Sequence, residues 1–486
     1  MGPPRGARAG GRTNFGSLIS AGPARPLGGT RTASYRALAR NRPFLWLSLA
    51  GAGSFAAPTA SLVVLLYAIT STFLGSDHPV ELAALALALL GLSSTIPTLA
   101  TAVFAGTVAD RADRRALLRW VNAAAILATL AIVVLFVFRP TTPVAVPGST
   151  EFVFPEWIVL LYPLWAVETT AVTLFRPAFN ASLPLLVAKS ELGRANGMVY
   201  ATALGFSIVA SLGAGALTNG VSPEAALLVP VALFALAQLA LFGVRGEISA
   251  PPSAAPEPFL KDAAAGYRYL WDHRALLGIT LGALAINFFS AVAFVELGLY
   301  VVDWLGVNQA ILIGAMIAGG SLGAAAGTLL VNRFHFEARA GRFLVILVAL
   351  QGSTVVVLGL VRTVWIALPD MFLFGLFPGM FTTVFLATLQ ATVPNQLLGR
   401  VLAADEVGSF AMIPVGQYVG GTVTAIYGIP SAYLVAGAGT VLVGAAMAAY
   451  GGIRRIGFTP SEDGADAEPP PRPPAPAPEF ELASDP

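Results

Sequence analysis

The chain contains no cysteine, so it can build neither a disulfide framework nor a thiolate metal site. Its three histidines, His78, His273 and His335, lie in or beside loops with no paired metal-ligand spacing, which leaves an intramembrane zinc hydrolase without ligands. No Gly-rich loop ends in Gly-Lys-Ser or Gly-Lys-Thr, the element a nucleotide-driven pump needs for phosphate binding. Charge is scarce: 11% of the 486 residues are Asp, Glu, Lys or Arg, with a formal net charge of +2. The first 43 residues hold eight arginines but no apolar stretch of signal-peptide length, so no cleaved export signal is read there. What is abundant is apolar surface. With 56% hydrophobic residues and a mean hydropathy of +0.75, the chain exceeds what a soluble core can hide, and lipid must solvate much of it.

The scarce charge is concentrated. Gly106-Thr-Val-Ala-Asp110-Arg111-Ala-Asp113-Arg114-Arg115 stands between two apolar runs, Glu81 to Ala105 and Ala116 to Phe138. Each run is long enough to cross roughly 30 Å of hydrocarbon at about 1.5 Å per residue. The charged stretch therefore reads as a tight hairpin at a membrane face. Apolar runs bounded by charge and Pro/Gly clusters place further spans, giving six near 44–72, 81–105, 116–138, 156–180, 195–219 and 223–244. Six more lie near 275–301, 308–331, 342–361, 364–388, 401–425 and 429–452. Twelve spans put both termini on one side. Loops on the side of the hairpin carry Arg111, Arg194, Lys261, Arg268, Arg333 and Arg400, whereas only Arg139 and Arg362 fall opposite, beside Asp77, Glu151, Glu224 and Asp303. By the positive-inside rule the hairpin and both termini are expected in the cytoplasm.

These runs divide the chain. A basic arm without folding capacity is expected over 1–43, a first six-helix bundle over 44–245 and a cytoplasmic linker over 246–274. A second bundle is expected over 275–453, then a Pro-rich acidic tail over 454–486. In the linker, Phe259, Tyr267, Leu270 and Trp271 recur at helical spacing, predicting an amphipathic helix on the membrane face. The halves echo each other. Glu191-Leu-Gly193-Arg194 opens span five and Leu397-Leu-Gly399-Arg400 opens span eleven, while Gly327-Thr-Leu-Leu-Val-Asn332-Arg333 is a faint partner of the hairpin. A duplicated six-span unit accounts for this.

The hairpin residues Gly106, Asp110, Arg111, Arg114 and Arg115 resemble the signature loop between spans two and three of the major facilitator superfamily. With Asp113, the string Asp-Arg-x-Asp-Arg-Arg is similar to a drug-efflux branch that includes macrolide and siderophore exporter-like proteins. Arg176-Pro-Ala-Phe-Asn-Ala-Ser-Leu-Pro184, Leu192-Gly-Arg-Ala-Asn196 and Pro394-Asn-Gln-Leu-Leu-Gly-Arg400 are similar to that branch too. The span-five Gly-Pro-x-x-Gly-Gly signature of such exporters is missing; a related pattern, Pro414-Val-Gly416-Gln-Tyr-Val-Gly420-Gly421, stands in span eleven. The resemblance covers roughly residues 35–455 and implies an all-α polytopic fold: twelve transmembrane helices in two pseudo-symmetric six-helix bundles. It also implies a central cavity lined by spans one, four, seven and ten.

On those spans, Glu168, Glu296 and Asp370 form a set of membrane-level acids, with Arg176 and Asn287 as further cavity candidates. Intramembrane charge usually faces a cavity or a partner, so Glu168 is expected to couple transport to protons, the alternative being an ion pair with Arg176. Glu296 and Asp370 lie nearer the outer ends and could simply reach water; Asn287 could make an interhelical hydrogen bond. The hairpin is expected to act as a latch, Asp110 meeting the start of span eleven near Arg400 and arginines pairing with Asp405 and Glu406. Gly319, Gly323 and Gly327, and Gly416 with Gly420, are expected to let helices approach closely. The function expected is alternating-access secondary transport, with proton-coupled efflux of amphipathic small molecules. Import of a polar nutrient is the alternative on the same fold; an intramembrane hydrolase or a non-transporting sensor is more remote. An apolar cavity with a few acids would suit many cationic or amphipathic molecules. No enzyme activity, cofactor, metal or nucleic acid is expected; the partners are a small-molecule substrate, protons and lipid, and the protein is expected to be a monomer in the plasma or inner membrane.

Overall fold

The computed structural model describes residues 38–74, 76–145, 153–188, 191–245, 248 and 259–457. The expected arm and tail lie almost wholly outside these residues, as do the side chains of Asp110 and Arg111. The first six spans are α1 (Arg42–Phe73), α2 (Pro79–Arg111), α3 (Arg114–Phe138), α4 (Glu156–Leu186), α5 (Leu192–Gly220) and α6 (Pro223–Gly243). The linker helix is α7 (Phe259–Asp272). The second six are α8 (Arg274–Phe294), α9 (Ala310–Leu330), α10 (Ala340–Leu360), α11 (Val364–Thr392), α12 (Asn395–Tyr427) and α13 (Ile429–Ala449). Eleven of these helices are long and apolar enough to cross a membrane by composition alone. The remaining one is α12, whose first turns carry Arg400, Asp405 and Glu406.

Local chemistry sets the ends. Asn41 caps α1, accepting from the Phe44 amide at 3.2 Å and donating to the Leu186 carbonyl at 2.7 Å. Asp113 caps α3 by accepting from the Arg115 amide at 3.1 Å, so the hairpin shrinks to Ala112 and Asp113 between two helices. The face that carries this hairpin is called the basic face below, and the other the far face. Exposed Trp46, Trp120 and Trp271 sit towards the basic face and Trp365 towards the far face, as interfacial aromatics do. On the far face Arg139 ends α3 in the left-handed conformation (φ 39°) and pairs with Glu224 at 3.1 Å. A small antiparallel hairpin, β1 (Pro143–Ala145) and β2 (Val153–Pro155), also stands there; its strands are too short for a periodic sequence signal.

The protein folds as two six-helix bundles, the arrangement that the resemblance implies. In the first, α1 is the central post, packed against α5 and α6, while α4 packs against α2 and α3. In the second, α9 packs on α11, α10 on α13 and α8 on α12. Lipid tails are as apolar as leucine, so close van der Waals contact is what holds such helices together, and small residues supply it. A β-carbon at Gly323 would run into the Phe372 carbonyl of α11, and one at Gly327 into that of Leu376. From the other side, Gly375 and Gly379 meet the carbonyls of Gly320 and Ala324. Gly416 and Gly420 sit against the Phe288 and Val292 carbonyls of α8. Gly319 is looser, with 3.9 Å to its nearest atom, so the expected stripe narrows to two positions there. Gly323→Val is expected to lower unfolding stability by about 1 to 3 kcal/mol, because overpacking must separate two backbones. Thermal unfolding in detergent checks this, against Gly399→Val, where nothing lies within 4 Å.

Two spans depart from continuous helix, the sixth at Leu227 alone. The seventh breaks after Phe294, passing through Glu296 to a single turn at Leu297–Leu299 and a π-helical turn at Tyr300–Trp304. The linker helix α7 forms as expected but packs on α12, where Gly266 abuts the Arg400 carbonyl and the Tyr267 hydroxyl approaches Gly408.

Candidate functional site

Among the described residues, contacts between the halves lie towards the far face. There Gly421 of α12 touches Ala88 of α2, and Thr95 donates to Gln417 at 3.0 Å. A β-carbon at Gly215 of α5 would come within 2.6 Å of Ile311 on α9, whose amide donates to Asn219 at 2.8 Å. Gly298, just past the break in the seventh span, lies where a β-carbon would be 2.7 Å from the Leu66 carbonyl of α1. Towards the basic face the same helices part: positions 106, 193, 197 and 399 have nothing within 4 Å of a β-carbon. The space between the bundles towards the basic face is the candidate cleft.

The face α1 turns to this cleft is legible from burial. Every position from 52 to 66 is buried except Phe55, Pro58, Thr59 and Leu62, which fall on one helical stripe. Behind that stripe Glu168 of α4 is fully buried. It accepts from Ser61 of α1 at 2.8 Å and stands 2.9 Å from the Thr129 hydroxyl of α3, which itself lies 2.8 Å from the Ala125 carbonyl. The alternative ion pair of Glu168 with Arg176 is not formed. Eight residues turn a helix by about 80° beyond whole turns, so the two side chains leave α4 in different directions. Arg176 is exposed, its guanidinium 5.3 Å from the centre of the Phe55 ring.

Sequence reasoning did not single out Ser61 or Thr129. Hydroxyl residues in apolar helices usually bond their own backbone, and no spacing marks the ones that reach across. A second buried polar chain runs nearer the basic face, from Ser54 to Asn122 at 2.8 Å and from Asn122 to Gln238 at 2.8 Å.

In the second bundle Glu296 is sealed from water and Asp370 is 6% exposed. Glu296 is fully buried at the helix break with both carboxyl oxygens lacking a partner among the described residues, and Oδ2 of Asp370 and the Tyr300 hydroxyl are likewise unpartnered. Tyr300 stacks on Tyr433 with ring centres 4.8 Å apart, and the two tyrosines lie within electrostatic reach of Asp370 and Glu296. Sequence proximity to the span end misled here, because the helix break folds Glu296 inward. Asn287 makes no interhelical bond through its amide nitrogen, which donates to Ala283 on its own helix at 3.2 Å.

The hairpin residues are spread by the fold. Gly106 lies on α2 with open space around it. Arg114 is buried and donates to the carbonyls of Ala109 and Ala181 at 3.2 and 3.1 Å, tying α2 to α4 within one bundle. Asp405 faces Ser409 and Tyr267, because α7 covers that side of α12. Burial and this carboxylate together push the Tyr267 hydroxyl above its usual range. Glu406 is exposed and shares a face with Gln417, eleven residues being about 20° from three full turns.

Comparisons place this geometry. Among solved structures, the chain is similar to a nucleoside transporter (TM-score 0.62, 12% identity, 84% of this chain and 99% of that one). It is similar to an auto-inhibited POT-family peptide transporter (0.63, 14%, 87% and 98%). It is also similar to a bacterial homolog of the human lysosomal transporter Spinster, solved inward-facing and unoccupied (0.59, 12%, 87% and 99%). No curated protein is matched. The profile of the family described as transmembrane secretion effector matches residues 54–474, spanning both bundles. The chain belongs to this family of major facilitator transporters.

Proposed function

We propose that the protein is a proton-coupled exporter of amphipathic small molecules that works by alternating access, as a monomer, in the plasma or inner membrane. The observation that carries the proton is the arrangement around Glu168. A hydroxyl has one hydrogen. If Thr129 gives its hydrogen to the Ala125 carbonyl, its oxygen can only accept from Glu168, which must then carry a proton on Oε2. With Ser61 donating to Oε1, every hydrogen of the protonated acid has a partner. An ionised Glu168 would instead draw the Thr129 hydrogen away from α3. Gain and loss of this proton therefore change how α1, α3 and α4 are joined. Glu296, with both oxygens buried and unpartnered among the described residues, and Asp370, with Oδ2 likewise, are the second candidate proton carriers, since an unpaired buried carboxylate is costly.

Export is supported by the family's description as secretion effector and by the likeness of the hairpin to efflux proteins. The basic face is cytoplasmic in this reading, so the cleft takes up cargo from inside. In the opposite state the hairpin Gly106–Arg115 docks on the start of α12 at Arg400 and Glu406. From the Thr95–Gln417 contact, equal rise along α2 and α12 brings Glu406 level with about residue 106. Full-length protein in proteoliposomes with an imposed pH gradient tests the proposal. Gradient-dependent movement of at least one compound from an amphipathic panel is expected, with alkalinisation or acidification of the lumen recorded by a pH dye. Movement that ignores the gradient would remove proton coupling.

A further inference from the structure

The acids expected to colour the cleft are buried, and the arginine is exposed. Glu168 and Glu296 are fully buried and Asp370 nearly so, whereas Arg176 stands open beside Phe55 on the cleft stripe of α1. Side chains lean towards the start of their helix, and α4 starts at the far face, so the guanidinium is carried towards the membrane interior. It points between two neighbours of α4. Phe175, on the flank towards α1, packs edge-on against Phe55 at 5.7 Å, while Thr173, on the other flank, reaches Thr98 of α2 at 3.4 Å. No carboxylate pairs with Arg176 among the described residues, and Glu168 is turned away onto Ser61 and Thr129.

An arginine at this depth keeps its charge, and a five-donor fork with no acceptor of its own is suited to a bidentate anion. When the cleft closes, water is lost and an unpaired cation becomes costly unless cargo brings the counter-charge. Phe55 fixes the plane of the guanidinium by a cation–π contact and, with Pro58, Thr59 and Leu62, offers an apolar strip beside it. We infer that Arg176 and the α1 stripe recognise an organic anion, the anionic group on the guanidinium and the apolar body along Phe55 to Leu62. This rests on the transporter reading above and names the substrate class for that cleft; it replaces the cationic cargo that a count of acids suggests.

The test uses full-length protein in detergent, with naphthylacetate, its uncharged amide, naphthyl phosphate and a naphthylalkylammonium as probes, and binding read by calorimetry. Wild type is expected to bind an anionic probe about ten- to a hundredfold tighter than the amide, the size of one charge-assisted hydrogen-bond pair, and the ammonium most weakly. Comparing carboxylate with phosphate identifies the headgroup. Arg176→Gln is expected to reduce anion affinity to that of the amide, leaving amide binding unchanged, and Arg176→Lys to retain part of the preference. Should Arg176→Gln not fold, the wild-type comparison of acid, amide and ammonium still decides. The inference is overturned if the ammonium or amide binds best, or if anion preference survives Arg176→Gln. It is overturned equally if Arg176→Gln and Glu406→Gln depress transport of every cargo alike, which would make Arg176 a closing contact for Glu406. Anion binding without gradient-driven movement would sink proton-coupled transport and spare this inference; gradient-driven movement of a cation, with anions ignored, would do the reverse.

Discussion

Glu168→Gln is expected to abolish gradient-driven transport while leaving the protein folded and able to exchange labelled for unlabelled cargo. Glutamine reproduces the protonated acid: its oxygen accepts from Ser61, and its amide nitrogen donates to Thr129, which keeps its bond to the Ala125 carbonyl. Thermal stability is expected to fall by about 1 to 3 kcal/mol, since the second amide hydrogen is left without a partner. What the variant cannot do is release a proton, so steps that need an ionised residue 168 stop. Exchange needs no net proton movement and persists. The measurement is paired flux assays in proteoliposomes, one with a pH gradient and one with cargo on both sides. Accumulation at the wild-type rate would show that the proton travels elsewhere, with Glu296 and Asp370 next to be replaced.

Joining Ala88→Cys and Gly421→Cys is expected to reduce transport to background under oxidising conditions and to restore it on reduction. These positions face each other across the two bundles on the far face, where a β-carbon at 421 would touch that of Ala88. A disulfide needs β-carbons roughly 3.5 to 4.5 Å apart, so the helices must ease apart slightly to form it, a smaller change than opening a cleft. The chain has no cysteine of its own, which makes the pair the sole thiols present. Loss of reactivity to a thiol reagent reports closure independently of transport. A closed disulfide with undiminished transport would mean that α2 and α12 do not separate here, and alternating access about this contact would fall.

Much of the architecture was readable along the chain. Span number follows from where charge interrupts apolar runs, because the energy of placing charge in hydrocarbon depends on sequence position more than on packing. The glycine contacts at Gly323, Gly327, Gly416 and Gly420 were legible for a similar reason: four-residue spacing puts small residues on one face, whatever helix meets them. Gly319 shows the limit, since the spacing continues where the partner helix has already diverged.

The candidate site was legible in its members but not in its arrangement. Glu168, Arg176, Glu296 and Asp370 stand out because ionisable residues are rare in such spans. Their surroundings were not legible. Glu168 and Arg176 share a helix, and only the positions of α1 and α3 decide that one is sealed by hydroxyls and the other left on the cleft. Glu296 looked like a residue near water until the break after Phe294 turned it inward.

By itself, the sequence determined that this protein crosses a membrane many times, where its charged hairpin sits and which few ionisable residues can do work, because each of these depends on local transfer energies. Only the tertiary structure decided which of those residues stands exposed, which is buried among hydroxyls, and on which face the bundles touch. Those outcomes depend on contacts between residues distant in the chain, such as Ser61 with Glu168 and Thr95 with Gln417, whose energies no local pattern encodes.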